Sequence, residues 1–387
     1  MHGMKRPEHR VPNFDVIVAG VGGMGSAACL QLARRGQKVL GLERFDIPHA
    51  MGSSHGINRI IRLAYFEHPS YVPLLRRAYQ LWRETEQRFG EQLLYVTGGV
   101  DAGPAESSVV TGSLAACRAH DLPHELLDAR EIMRRFPAFR LPDHYVGNYQ
   151  ADAGFVMSER AIVAQTTMAM AAGADIRARE AIVDWEPTAG GGVRVRTTKG
   201  TYEAGRLILS TGAWIADHVP ALAGKAVPER QVLGWFQPKE PQHFALGALP
   251  VSIVDAPSAR CYQFPVFGVP GFKIGLYHHF RQLGHADTLS REPTADDEAA
   301  LRQVVREVFP GADGATMALK ACLFTNTPDE HFVVDCLPGV PQVVVASPCS
   351  GHGFKFASVM GEVLADLAID GTTRHDIGLF SLSRLNG

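Results

Sequence analysis

The sequence predicts a mixed fold, α/β with α+β character: a nucleotide-binding sheet and its helices, interrupted by a separate antiparallel sheet. Three observations carry this. A strand, a glycine-rich turn, a helix and a second strand follow one another between Phe14 and Glu43. Residues 227–320 are rich in aromatic and β-branched stretches. A second glycine-rich turn, Ser350-Gly351-His352-Gly353, opens the last helix. At 387 residues the chain exceeds one ordinary core, which calls for two domains or one with a large insertion.

Composition narrows the class. A hydrophobic share of 46% with 20% charged residues describes a globular chain with nothing pointing to disorder. A formal charge of −2 and the lack of a long basic run argue against a nucleic-acid partner. No apolar stretch approaches a membrane span, so no membrane is expected. The start of the chain lacks the apolar run of a secretory signal, and residues 1–13 are expected to form a flexible tail. Cysteines at 29, 117, 261, 322, 336 and 349 show no CxxC or zinc-like spacing. They fit reduced thiols in the cytoplasm, with no metal site.

Residues 14–19 are rich in β-branched side chains and read as a buried parallel strand. Gly20-Val21-Gly22-Gly23-Met24-Gly25 follows, then a helix to Arg35 closed by Gly36, and a second strand over 38–43. This is GxGxxG inside a complete βαβ unit with Glu43 at the end of the second strand. The glycines let the backbone approach a pyrophosphate, the helix N-terminus offers free N–H groups, and Glu43 can accept from a ribose diol.

The fingerprint serves NAD or FAD alike. Beyond Glu43, however, comes a loop of small and turn-forming residues rather than a third strand. Arg44, His49, Gly52 and Ser53 in this loop are candidate cofactor contacts. The loop leads into a short amphipathic segment with Arg59 and Arg62, which would share a face on a helix. Residues 71–89 carry Val72, Leu75, Tyr79 and Trp82 at helical spacing, a core-packing stripe ended by Gly90.

In the middle, residues 152–160 predict a turn and a helix start. Residues 206–209 predict a strand that runs into a small-residue turn at Trp214, where it would approach the dinucleotide. Among the strands of 227–320, Tyr262 and Lys273 are candidate substrate-facing groups. A lysine between apolar neighbours is either functional or an edge-strand guard against aggregation. The closing segment predicts strands over 331–335 and 342–346. A helix then runs to Leu367, with Val359, Val363 and Leu367 on its buried face and Lys355 in its first turn.

The order GxGxxG, Glu43, Gly52-Ser53-Ser54-His55-Gly56, Arg59 and Arg62, then Cys322, Thr327-Pro328-Asp329-Glu330-His331-Phe332 and Ser350-Gly351-His352-Gly353-Phe354-Lys355-Phe356 resembles the monomeric sarcosine oxidase family. That family includes N-methyltryptophan and L-pipecolate oxidases, within the D-amino-acid-oxidase-like flavoproteins. The resemblance spans residues 14–384. It implies a Rossmann-type FAD-binding domain made of 14–92, 149–226 and 321–387, with an inserted antiparallel-sheet substrate domain made of 93–148 and 227–320.

The same resemblance implies roles. FAD would be held by Gly20, Gly22, Gly23, Met24, Gly25, Glu43, Arg44, His49, Gly52, Ser53, Arg59, Trp214, Gly351, Gly353 and Lys355, and bonded covalently through Cys322. Arg62 and Lys355 would hold the carboxylate of an amino acid substrate, with Tyr262 beside it. Lys273 would assist reaction with dioxygen, and Arg59 would tune the electrostatics beside the ring. His278 matches the family's Tyr-His segment, whereas strand periodicity from Lys273 selects His279; Leu276 is an extra residue there, and a bulge would reconcile the two. The implied activity is FAD-dependent oxidation of a secondary amino acid, N-methylated or cyclic, giving an imine and hydrogen peroxide, by a monomer. The alternatives are a dehydrogenase that passes electrons to a protein or quinone, a non-catalytic flavin-binding protein, and an NAD-dependent dehydrogenase. Asn58, where sarcosine oxidase carries threonine, and Leu276 leave the particular amine open.

Overall fold

In the computed structural model, which describes residues 13–386, the opening βαβ unit forms as its pattern requires. Asn13–Ala19 is a strand, Gly23–Arg34 a helix and Val39–Leu42 the second strand, with Gly36 at φ 78 turning the chain after the helix. The loose tail expected over 1–13 lies, except for Asn13, outside the described residues; Asn13 starts the first strand.

Three sheets organise the chain. The first has eight strands, with Asn13–Ala19 parallel to both Val39–Leu42 and Thr201–Leu209 at its centre. Thr201–Leu209 is long enough to serve two partners. Val193–Thr197 pairs with its start and Val340–Ser347 runs parallel to its end. Both faces of the parallel centre are covered, so Ile17, Val18, Leu207 and Ile208 are buried without alternation. The helices Gly23–Arg34, Ser158–Ala171 and Ala357–Asp370 pack on one face, backed by Val72–Phe89.

The closing helix departs from the expected stripe. It is buried on nearly every side, because it inserts between the sheet and Val72–Phe89 rather than lying at the surface. Gly361 lets it approach the first helix, since a Cβ there would sit 2.7 Å from the Ala27 carbonyl oxygen.

The second sheet also has eight strands. Its order is Thr316–Asn326, Val227–Phe236, Phe272–Leu276, Arg260–Phe264, Val251–Asp255, Gly99–Pro104, Tyr145–Gln150 and Glu125–Asp128. It is antiparallel except at Val251–Asp255 with Gly99–Pro104, which run parallel. Its two faces differ with period two. Phe272, Ile274 and Leu276 pack under the helix Ala295–Val308, which sends Lys273 and Gly275 to the opposite face. Phe272–Leu276 lies between two other strands, so Lys273 is no edge guard.

A third, small sheet corrects two expectations. Asn58–Ile61 is a strand paired with Gly154–Met157, which also pairs with Leu94–Val96. Arg59 and Arg62 therefore do not share a helical face, and the predicted turn over 152–160 is mostly strand before the helix from Ser158. Ile60 and Ile61 fit a pleated surface, and the partner strand is distant in sequence. Among the described residues no helix is long and apolar enough to cross a membrane.

Candidate active site

One cavity of about 550 Å³ runs from the first glycine turn to the far sheet, within the size range of cofactor and ligand pockets. At one end lie Gly20, Gly22, Gly23 and Met24. The N-cap Gly22 offers no side chain to the helix Gly23–Arg34; the Gly23 N–H donates weakly to the Ser54 hydroxyl at 3.3 Å, and the N–H groups that follow it in the first turn are left for an anion. The turn is closed so tightly that a Cβ on Gly20 would stand 2.5 Å from the Ser210 carbonyl oxygen, and one on Gly25 would stand 1.8 Å from that of Gly20. Glu43 is buried beside it, accepting from the Val21 N–H at 2.9 Å and the Phe45 N–H at 3.1 Å.

The dinucleotide end continues through the loop after Glu43. His49 lies 3.5 Å from Glu43 and against the Phe45 ring, and burial lowers its pKa. Arg44 spreads its guanidinium over Phe45 and Trp214 and pairs with Asp287, which also accepts from the Trp214 indole at 2.8 Å. Gly52 approaches His49, where a Cβ would meet the ring at 3.3 Å. The hydroxyls of Ser53, Thr211 and Thr325 are buried in this wall with no hydrogen-bond partner among the described residues. Open donors, free helix N–H groups and an acidic clamp fit a dinucleotide.

Cys322 stands where the cavity meets the second sheet, only 3% exposed. Its strand pairs with Val227–Phe236, opposite Gln231. Arg59 donates to the Cys322 Sγ at 3.5 Å and to the Ser53 carbonyl oxygen at 2.7 Å. Across the gap, Gly351 (φ 76) and Gly353 form the closing turn. A Cβ on Gly351 would strike the Phe324 ring at 2.6 Å, and one on Gly353 would lie 1.6 Å from the Pro348 carbonyl oxygen.

Arg62 and Lys355, both about 5% exposed, meet at the far end. Arg62 donates to Glu67 at 2.8 Å, approaches Asp101 at 3.3 Å and stacks over Tyr65 and Phe66. Lys355 sits in a 3₁₀ turn, Phe354–Phe356, before the last helix and donates to the His352 carbonyl oxygen at 2.7 Å. Burial, with Arg62 beside it, pulls the Lys355 ammonium down to about 7. Burial lifts the Asp101 carboxyl to about 7 in spite of Arg62. Glu67 also pays for burial, yet Arg62 and neighbouring cations hold it below its usual range.

Lys273 and His278 are not in the lining. Lys273 lies one layer back, donating to the carbonyl oxygens of Gly56 and Asn58 and to the Asn58 carboxamide, and burial pulls its pKa well down. The strand ends at Leu276, so neither the expected bulge nor the shared face of Lys273 and His279 forms. His278 bridges Glu229 and Glu330, and His279 is bonded to Asp297. The residue that does enter the cavity is Tyr277. Its ring lies 5.5 Å from Tyr262 at 88°, and Tyr262 in turn covers Gly275, whose missing side chain makes the room. Ile60, Ile253 and Phe264 complete this apolar wall.

Sequence reasoning missed Tyr277, Glu67 and Asp101. Tyr277 was visible only as the neighbour of the histidines. An acid inside the otherwise apolar run 99–102 was the available signal for Asp101.

Known proteins resemble this chain over nearly its whole length. A family model described as FAD dependent oxidoreductase matches residues 15–367. Monomeric sarcosine oxidase of Streptomyces avermitilis is 42% identical over 380 residues, covering 97% of this chain and 98% of that protein. N-methyl-L-tryptophan oxidase of Salmonella gallinarum is 36% identical over 377 residues, covering 96% and 99%. Among solved structures, NikD, an unusual amino acid oxidase essential for nikkomycin biosynthesis, superposes with a TM-score of 0.82 at 27% identity, covering 96% of this chain and 97% of that one.

Proposed function

The chain belongs to the FAD dependent oxidoreductase family, and we propose that it is an oxidase of secondary amino acids, N-methylated or cyclic, using dioxygen as acceptor. The observation that carries this is the pair of buried cations, Arg62 and Lys355, facing an apolar wall at the end of a cavity continuous with the dinucleotide cradle.

Bound FAD supplies the acceptor for the hydride equivalent and the site that dioxygen later reoxidises. This chain's residues do the rest. Arg62 and Lys355 would hold the substrate carboxylate, and Tyr262 and Tyr277 would flank its amine side and orient the C–H beside the amine. Glu67 and Asp101 pair with Arg62 outside the lining, and among the described residues no carboxylate lines the cavity beside Tyr262 and Tyr277 to hold a protonated amine, so binding selects the neutral one. Burial raises the pKa of both phenols, which keeps Tyr262 and Tyr277 neutral. Cys322, among the Ser53 carbonyl and Arg59, is the proposed covalent attachment point. Lys273, held behind the segment that carries Arg59, is the proposed cation for the dioxygen step.

Segments 14–92, 149–226 and 321–387 are the proposed cofactor domain, and 93–148 with 227–320 the substrate domain. Sheet membership supports this, although the strand Thr316–Asn326 pairs wholly with the second sheet. A monomer in the cytoplasm with six free thiols completes the proposal.

The test is a panel of secondary amino acids mixed with the yellow protein, first without and then with oxygen. Bleaching followed by peroxide release is expected. Bleaching without peroxide would identify a dehydrogenase, and no bleaching would leave only a flavin-binding protein.

A further inference from the structure

Next to the main cavity, with Ile60, Arg62 and Ile253 forming the shared wall, lies a small and largely apolar chamber into which Asp101, Asn148, Gln150 and Ser252 bring polar groups. Asp101 belongs to the strand Gly99–Pro104, where Val100 and Ala102 face the core beside Ile132 of the helix Ala129–Arg135 and Asp101 faces Arg62. Its Oδ2 lies 3.3 Å from the Arg62 Nε, yet that N–H makes no well-formed hydrogen bond, whereas Nη2 is well bonded to Glu67 at 2.8 Å. Arg62 thus faces two carboxylates before any ligand arrives.

The strand register puts Asp101 directly opposite Asn148. The Asn148 amide is oriented by its NH₂, which donates to the Ser113 hydroxyl at 3.2 Å and the Cys117 sulfur at 3.4 Å. Its Oδ1 is left buried with no donor among the described residues. An ionised Asp101 cannot supply one. A protonated Asp101 can, and a directly opposed cross-strand pair is close enough for it.

We propose that Asp101 is a positioning residue that takes up a proton when a carboxylate binds at Arg62. Resting on the carboxylate-anchor reading of Arg62 and Lys355, this makes anchoring a proton-coupled event. Glu67 keeps the tighter bond to Arg62 and stays ionised, and Asp101 is the acid that yields. The ordinary pKa of an aspartic acid is already lifted to about 7 at this position, first by burial. The other titratable groups that act on the cluster are Arg62, Tyr65 and Glu67 after the strand Asn58–Ile61, Tyr71 and Tyr79 at and in the helix Val72–Phe89, Arg260 of the strand Arg260–Phe264, Tyr277 beyond Leu276, His352 and Lys355 before the last helix, and Cys117 of the helix Ser108–His120. An incoming anion raises the Asp101 pKa further. Affinity is therefore full below about pH 7 and falls as pH rises through that value.

The probe is propionate, a carboxylate without an oxidisable amine, titrated into the flavin-loaded protein and followed by flavin absorbance. In weakly buffered solution at pH 7 with an indicator dye, wild type should take up protons on binding, and no uptake overturns the proposal. Asp101→Asn, which is isosteric and permanently neutral, should take up fewer. It should bind within about twofold of wild type at pH 6 and roughly tenfold tighter at pH 8. A scaffold role alone would weaken binding at every pH, which also overturns it. The comparison is repeated in a Lys355→Met background, which removes the titration of that lysine. Arg62→Gln separates the two readings. Undiminished binding in that variant overturns the anchor and the coupling together, whereas lost binding there with unchanged proton uptake in Asp101→Asn overturns the coupling alone.

Discussion

The Lys273 ammonium donates to the Asn58 carboxamide oxygen at 2.7 Å, and its remaining two protons go to the carbonyl oxygens of Gly56 and Asn58, each at 2.8 Å. Burial and then Arg59 work against the charged form, and the three oxygen acceptors, matching three ammonium protons, work for it, on the segment that carries Arg59 with the Phe264 ring 4.1 Å away. A cation held this way needs no reorganisation when negative charge develops on dioxygen. Lys273→Met should slow reoxidation of the reduced flavin by roughly 10²–10³-fold while leaving its anaerobic reduction by substrate within about threefold. Stopped-flow of the two half-reactions measures both. An equal loss in each would assign Lys273 to packing instead. Asn58→Ala, which removes one of three acceptors, should give a smaller oxidative defect of the same kind.

Cys322 lies within reach of the Ser53 carbonyl oxygen at 3.7 Å and the Arg59 guanidinium at 3.5 Å, on the wall of the cofactor cavity. Cys322→Ser preserves that shape and removes the sulfur. After acid precipitation, wild type should keep its yellow colour in the pellet and the variant should release it to the supernatant. Colour retained by the variant pellet rules out this attachment point.

Gly25 is in the helix that the dinucleotide end depends on. A Cβ there would overlap the Gly20 carbonyl oxygen at 1.8 Å and press on the Ser210 hydroxyl at 2.8 Å. Gly25→Ala must push the helix off the turn, and the expected result is loss of flavin absorbance per chain together with about 1–3 kcal/mol of stability. Gly36 is the control. A Cβ there meets nothing within 4 Å, although its φ of 78 is strained for alanine. Gly36→Ala should cost about 1 kcal/mol and keep its flavin.

Much of this was legible because it is local. The glycine turn, its two strands and the helix Val72–Phe89 are each specified by neighbours in sequence, and the structure differs from the expected bounds by a residue or two. The segment at Asn58–Ile61 was not legible. Its strand state is set by Gly154–Met157, far along the chain, and a spacing of three between arginines mimicked a helical face. Tyr277 displaced the histidines for a similar reason. Period-two counting from Lys273 holds only while the chain stays in the sheet, and it leaves at Leu276. The carboxylates around Arg62 come from a loop and from another sheet, so no local pattern joined them.

His278, at the left-handed φ of 55, closes that departure from the sheet. Its Nδ1 meets Glu229 at 3.0 Å and its Nε2 meets Glu330 at 3.1 Å, tying the second sheet to the loop before His331. The hydrogen bonds to Glu229 and then Glu330 outweigh burial and lift its pKa to about 9. An unfolded histidine titrates near 6.5. A raised folded pKa means that the stabilisation is complete below about 6.5 and disappears as pH rises through about 9. Because the ring is partly exposed, the contribution is about 1–2 kcal/mol rather than the full value of the shift. His278→Gln keeps hydrogen bonding and removes the charge. Urea denaturation should show wild type more stable than this variant by that margin at pH 6, with the gap closing by pH 9.5. A gap that holds constant or widens with pH would mean that the bridge acts by shape and not by charge.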